Sequence, residues 1–178
     1  NKNPLILYVF FINTQNMQNK PIFSKGLYEW IMFLISFYIR IKSSLKIDFE
    51  SFIILQVIVS HTLYKFNKEQ IRTFTELDYK FEKLIRDKYE DTLKLNYSNI
   101  SNLLDLPRET IRRKCHLLEK KKLIKIDNNK GLIPGLEYQK IFSTFASDTT
   151  LDVSKFIRKL KKSGLLDLAL KFEKKDLR

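Results

Sequence analysis

The sequence predicts a mostly α-helical chain that carries one small β-hairpin. Three observations lead there. Only four Gly and four Pro occur among 178 residues, too few for the many turns of a β sandwich. Apolar side chains recur every three or four positions through most of the chain. Residues 123–127 alternate instead, turn on Asn128-Asn129-Lys130-Gly131, and return through Leu132 and Ile133. Hydrophobic residues make up 44% of the whole, enough for a folded core.

The net charge of +13 is unevenly placed. Residues 1–91 hold 13 Lys/Arg against 10 Asp/Glu, a net +3; residues 92–178 hold 20 against 10, a net +10. An AT-rich coding bias toward Lys, Asn, Ile and Phe explains part of the total but not the asymmetry. A polyanionic partner for the second half explains both. Cys115 is the one cysteine, which excludes an internal disulfide and a multi-cysteine zinc site. His61 and His116 have no metal-ligand spacing, and no carboxylate pair, phosphate loop or activated nucleophile is visible. No catalytic residue, cofactor or metal is expected, and an enzyme is improbable on these grounds.

The elements follow in order. The chain begins at Asn1. Residues 5–12 are apolar, with only Lys2 ahead and no small-residue cleavage site behind, so a signal peptide fits poorly. Met17 is an alternative start that would make residues 1–16 extraneous. Residues 1–26 are read as an N-terminal arm with Pro21 and Gly26 in a loop. Residues 27–42 predict a helix that is apolar on most faces, broken by Ser43 and Ser44. Asp48 is placed to cap a second helix to about Phe66, with Phe49, Phe52, Ile53 and Val57 at helical period. Residues 69–93 predict one long amphipathic helix, buried along Ile71, Phe74, Leu77, Phe81 and Leu84. The uncharged runs 30–39 and 52–59 fall well short of the roughly 20 residues of a membrane span. No stable membrane insertion is expected, and residues 27–93 are read as a helical core and dimerisation region.

Residues 94–136 carry the functional signal. Ser98 is placed to cap a short helix whose Ile100, Leu103 and Leu104 face inward. Asp105-Leu106-Pro107 makes a sharp turn, and a second helix begins at Pro107 or Arg108 and runs to about Lys121. At 100° per residue from Ile111, Cys115 and Leu118 fall within about 40° and form a buried stripe. Glu109, Arg112, Arg113 and His116 occupy the outward arc. A strand then leads to the turn at 128–131 and returns through Leu132 and Ile133, with Lys130 at the tip. Helix, turn, helix and hairpin in this order predict a winged helix-turn-helix beside an N-terminal helical bundle. A basic helix with a fixed entry angle suits the DNA major groove.

The residues resemble a family at this point. Leu104, Pro107, Thr110, Ile111, Arg113, Cys115, Leu118, Glu119, Leu123 and Ile124 match a pattern common in the winged helix-turn-helix of bacterial transcriptional regulators, the MarR-like and GntR-like proteins. The resemblance runs from Ser101 through Ile124 and covers less than a quarter of the chain. It implies dimeric repressors or activators on pseudo-palindromic DNA. Two positions depart from the pattern. Lys122 stands where a helix-ending Gly is usual, and Asp105 stands where the turn often has Gly, which Asp tolerates.

The candidate DNA-binding residues are Ser98, Asn99, Arg108, Glu109, Thr110, Arg112, Arg113, His116, Lys120 and Lys130. Several have bland readings as well. The arginines suit a solvated face, Lys120-Lys121-Lys122 suits the negative end of a helix, and Glu109 suits a pair with Arg112 or Arg113 as well as cytosine N4. Cys115 reads as inert core, and His61 as a hydrogen-bonded interior histidine. Residues 137–178 are read as basic helices packing on the core, one capped by Thr150 or Asp152 and ended by Gly164. The sequence reading is a cytoplasmic, homodimeric, sequence-specific regulator that binds double-stranded DNA. Its rivals are a plasmid or phage replication or partition protein, and a winged helix used only for protein contact.

Overall fold

The computed structural model describes residues 22–86 and 94–170. They form α1 (Ile22–Arg40), a π-helical turn (Ile41–Leu45), α2 (Phe49–Glu69), α3 (Phe74–Arg86), α4 (Tyr97–Leu104) and α5 (Arg108–Lys120). Strands β1 (Ile124–Asp127) and β2 (Gly131–Pro134) follow, then α6 (Leu136–Lys162) and α7 (Leu165–Leu170). The chain is mostly helical with one small antiparallel sheet, as its composition predicts. The expectations for residues 1–21, 87–93 and 171–178 lie outside the described residues. Among those described, no single helix is long and apolar enough to cross a membrane.

Two compact units are present, Arg40–Ser147 and the pair of segments Asn1–Ile39 and Asp148–Arg178. Their limits cut across the expected regions 27–93 and 137–178. Residues of α1 group with the C-terminal segment, not with α2 and α3.

Within Arg40–Ser147, α2 is the central helix, and both α5 and β2 pack on it. Asp48 caps it as predicted, its carboxylate accepting from the Ser51 N–H at 2.8 Å. Phe52, Ile54, Leu55, Ile58 and Phe66 are buried, each contributing about 1.5–3 kcal/mol. Phe49, expected on this inner face, is exposed. The expected serine break comes later: the chain widens into a π-helical turn through Ser43 and Ser44 and stops at Lys46, whose φ is 53°. Burial of Ile41 and Leu45 holds that extra turn in place.

The single long helix expected over 69–93 does not form. The α2 helix runs on to Glu69, Gln70 is extended, and Ile71 is 87% exposed. A capping box wins locally. Glu76 accepts from the Thr73 N–H at 2.6 Å, and the Thr73 hydroxyl accepts from the Glu76 N–H at 3.4 Å. This starts α3 at Phe74. Its Phe81 and Leu84 are buried as predicted, with Phe81 edge-on to Phe66 at 5.5 Å.

The other unit is built on aromatics. Phe33 stacks on Phe156 at 5.1 Å, Trp30 lies 5.7 Å from the same ring, and Lys159 pairs with Glu29 at 2.7 Å. Gly26 is helical, not in a loop, and Leu165 occupies the space a side chain there would need: a Cβ would lie 1.7 Å from Leu165 Cδ2. Neither Thr150 nor Asp152 begins a helix. Asp152 faces Lys155 instead, and α6 runs unbroken for 27 residues. Gly164, at φ 77°, ends it as expected, donating to the Lys161 carbonyl at 3.0 Å.

Candidate nucleic-acid interface

The site grows from two short helices joined by a tight corner. Asn96, not Ser98, caps α4: Asn96 and Asn99 exchange side-chain bonds with each other's backbone N–H at 3.0 Å. Ser98 is half-buried in the first turn. Ile100 is fully buried, but Leu103, expected inward, is 68% exposed. At the corner Asp105 takes the left-handed conformation with φ 53°. The Ser101 hydroxyl donates to the Leu106 carbonyl at 2.6 Å, and Leu106 donates back to the Ser101 carbonyl at 3.2 Å. Pro107, with φ −57°, then opens α5.

The inner side of α5 is fixed in three ways. Ile111, Cys115 and Leu118 are fully buried, the stripe the sequence predicts. Burial pushes the Cys115 thiol up to about 12, aided by the Glu119 carboxylate, so it is an inert core group. Lys114 reaches Asp48 at 2.8 Å and Glu50 at 3.1 Å, which ties α5 to the first turn of α2. The Glu119 carboxylate accepts from the Ile126 N–H at 3.0 Å and so holds β1 against the helix. The helix ends in a Schellman motif despite its missing glycine. Lys122 takes φ 56° and donates to the Glu119 carbonyl at 2.7 Å, while Leu123 donates to the Leu118 carbonyl at 3.0 Å.

The outer side carries the charges. Arg108, Arg113 and Lys120 are exposed and make no ion pair or side-chain hydrogen bond among the described residues. Glu109 grips Arg112 through Nε at 2.9 Å and Nη2 at 2.7 Å, so of its alternative partners it takes Arg112. That hydrogen bond holds the Glu109 carboxyl below the usual range. Thr110 is half-buried. His116 lies 3.7 Å from Glu119, with its ring centroid 6.3 Å from that of Tyr97. His61, on α2, is half-buried.

The hairpin pairs Ile124 with Pro134 and Asp127 with Gly131. Asp127 Oδ1 accepts from the Asn129 and Lys130 N–H groups at 2.9 and 3.1 Å and folds the turn. Lys130 is not at an exposed tip. It is 2% exposed, and its ammonium donates to the carbonyl of Leu84 in the last turn of α3, where the helix dipole favours a cation. Lys130 therefore leaves the candidate surface. The exposed tip is Asn128 and Asn129. Leu95 adds a single bridge beside β2, its carbonyl accepting from the Leu132 N–H at 2.9 Å.

Comparison of the chain with protein-family models, with curated proteins and with solved structures gives no match to any of them. Lys114, which ties α5 to α2, and Leu95, which bridges to β2, were not singled out from sequence, and Glu119 was named there only as a match to the family pattern. Lys114 carried a readable signal. It lies about 60° from Ile111 on the helical wheel, and a charge beside a buried stripe needs a partner.

Proposed function

We propose that the Arg40–Ser147 unit is a sequence-specific DNA-binding module, a winged helix-turn-helix whose recognition helix is α5, and that the chain is a transcriptional regulator. The observation that carries the reading is the division of α5 between two faces. Its inner face is held by Ile111, Cys115 and Leu118 and by the Lys114 and Glu119 contacts. Its outer face presents Arg108, Arg113 and Lys120, unpaired among the described residues, beside an Arg112 fork preset by Glu109. A rigid helix with cations on one side is what base and phosphate contacts in a major groove require. The order of elements also fits the resemblance to MarR-like and GntR-like regulators.

In this reading the arginines divide the work. Arg113 is free to contact a guanine edge or a phosphate, while Arg112 arrives with its guanidinium plane already oriented. Ser98 and Asn99, in the first turn of α4, lie where backbone phosphates would pass. The wing contributes through Asn128 and Asn129. Selection of bound duplexes from a random pool tests the reading. A preferred sequence should emerge, bound about 10³-fold or more tighter than a scrambled duplex and more weakly as salt rises. Recovery of no preferred sequence, together with a flat salt dependence, would overturn it.

A further inference from the structure

We infer that Arg112 reads a guanine in the major groove, and that Glu109 is the positioning residue that aims it. This rests on the DNA reading of α5 and assigns one base pair of the site. Glu109 is the second residue of α5 and Arg112 the fifth. Both stand in the N-terminal part of the helix, from which a recognition helix touches base edges. At 100° per residue from Ile111, Arg112, His116, Glu109, Lys120 and Arg113 share the arc from about 100° to 200°. Glu109 is the one acid among these five, near the middle of the arc. A carboxylate there opposes DNA phosphates, and an exposed ion pair adds little to stability. What it supplies is geometry.

Glu109 Oε2 accepts from Arg112 Nε at 2.9 Å, and Oε1 accepts from Nη2 at 2.7 Å. Two parallel bonds fix both the plane and the direction of the guanidinium. They occupy its Nε side and leave the edge between Nη1 and Nη2, which makes no other hydrogen bond among the described residues. That edge offers two parallel N–H donors. In the major groove only guanine shows two acceptors side by side, O6 and N7. Adenine sets a donor beside its N7, thymine has O4 alone, and cytosine presents a donor. An unrestrained arginine would lose rotamer freedom on making that contact, and Glu109 removes much of this cost before DNA arrives. The same carboxylate repels phosphate whatever the sequence, so it weakens wrong complexes while it sharpens the right one.

Duplex titrations of the full chain test it, on the site selected from a random pool, on its single-base-pair variants, and on a scrambled duplex. Glu109 and Arg112 are 71% and 51% exposed, so their variants should fold as the wild type does. Arg112→Ala should erase the preference for guanine at one base pair, where the wild type discriminates roughly 5- to 150-fold. Glu109→Ala should lower the preference at that same base pair and tighten the scrambled complex. The double variant Glu109→Ala/Arg112→Ala should lose no more preference than Arg112→Ala alone. The proposal is overturned if Glu109→Ala leaves either quantity unchanged, or if the double variant loses more. A shift at a different base pair would make Glu109 a reader in its own right and overturns it too, as does a base other than guanine at the position Arg112 controls. If Glu109→Ala fails to fold, the isosteric Glu109→Gln decides by the same two quantities. A wild type that selects no sequence overturns the DNA reading itself. A selected site indifferent to Arg112→Ala overturns this inference alone.

Discussion

Lys114 Nζ stands 2.8 Å from Asp48 Oδ1, joining α5 to the start of α2 across 66 positions of sequence. The same carboxylate caps α2 through the Ser51 N–H. One side chain therefore sets both where the central helix begins and how the candidate recognition helix is rotated on it.

A pH dependence follows. Burial raises the Asp48 pKa, but the hydrogen bonds from Lys114 and from the Ser51 N–H and hydroxyl outweigh it and lower it to about 2. The folded value lies below the unfolded one of about 3.9, so this stabilisation is complete above that value and is lost as pH falls through about 2. Asp48 is half-exposed, which keeps the effect small. Asp48→Asn retains the cap and should cost less than about 1 kcal/mol at neutral pH. Urea melts should show it closing the gap to wild type as pH is lowered toward about 2.

Cys115 should be silent to thiol reagents in the folded protein. Its side chain is fully buried, and that burial pushes its thiol up to about 12. At pH near 8 the labelling rate should follow global unfolding, rising with denaturant. Rapid stoichiometric labelling in water would show that the α5 stripe is open.

Two backbone positions should respond in opposite directions. Lys122 occupies the left-handed region, so Lys122→Gly should stabilise by up to about 1 kcal/mol. Gly131 has φ 77°, and a Cβ there would lie 2.5 Å from the Leu95 carbonyl oxygen. Gly131→Ala should destabilise by about 2 kcal/mol or more. Thermal melts of both variants provide the check.

Charge removal should separate the proposed DNA surface from the scaffold. Arg113→Ala should leave the melting temperature unchanged and weaken DNA binding. At a base edge it should cost roughly 1–3 kcal/mol on the preferred site; at a phosphate it should reduce the salt slope by about one. Lys130→Met should do the reverse, destabilising by about 1–3 kcal/mol because the Leu84 carbonyl loses its donor, with the salt slope intact. Titrations at two salt concentrations on specific and scrambled duplexes measure both.

Local chemistry was legible in the sequence, and distant pairing was not. The Ile111/Cys115/Leu118 stripe, the Asp105–Pro107 corner and the turn at 128–131 follow from spacing and turn residues within a few positions of one another. The burial of Lys130 depends on Leu84, 46 positions away, and the pairing of Lys114 on Asp48, 66 positions away, so neither partner follows from the local sequence. The expected long helix over 69–93 failed for another reason. The Thr73-x-x-Glu76 signature was present, but the apolar period continued across it and concealed the break.

The stacking of Phe33 on Phe156 has a consequence for synthesis. The two rings stand 123 positions apart, and the whole Arg40–Ser147 unit lies between them in sequence. At translation rates of about 5–20 residues per second, α1 waits on the order of 10 s for its aromatic partner to be made. Throughout that interval Phe33 lacks its Phe156 partner on the nascent chain. Folding of the intervening unit shortens the loop that remains to be closed, which makes its early completion the economical order. Slowing that unit should therefore prolong the engagement of α1 by chaperones that recognise exposed apolar helices.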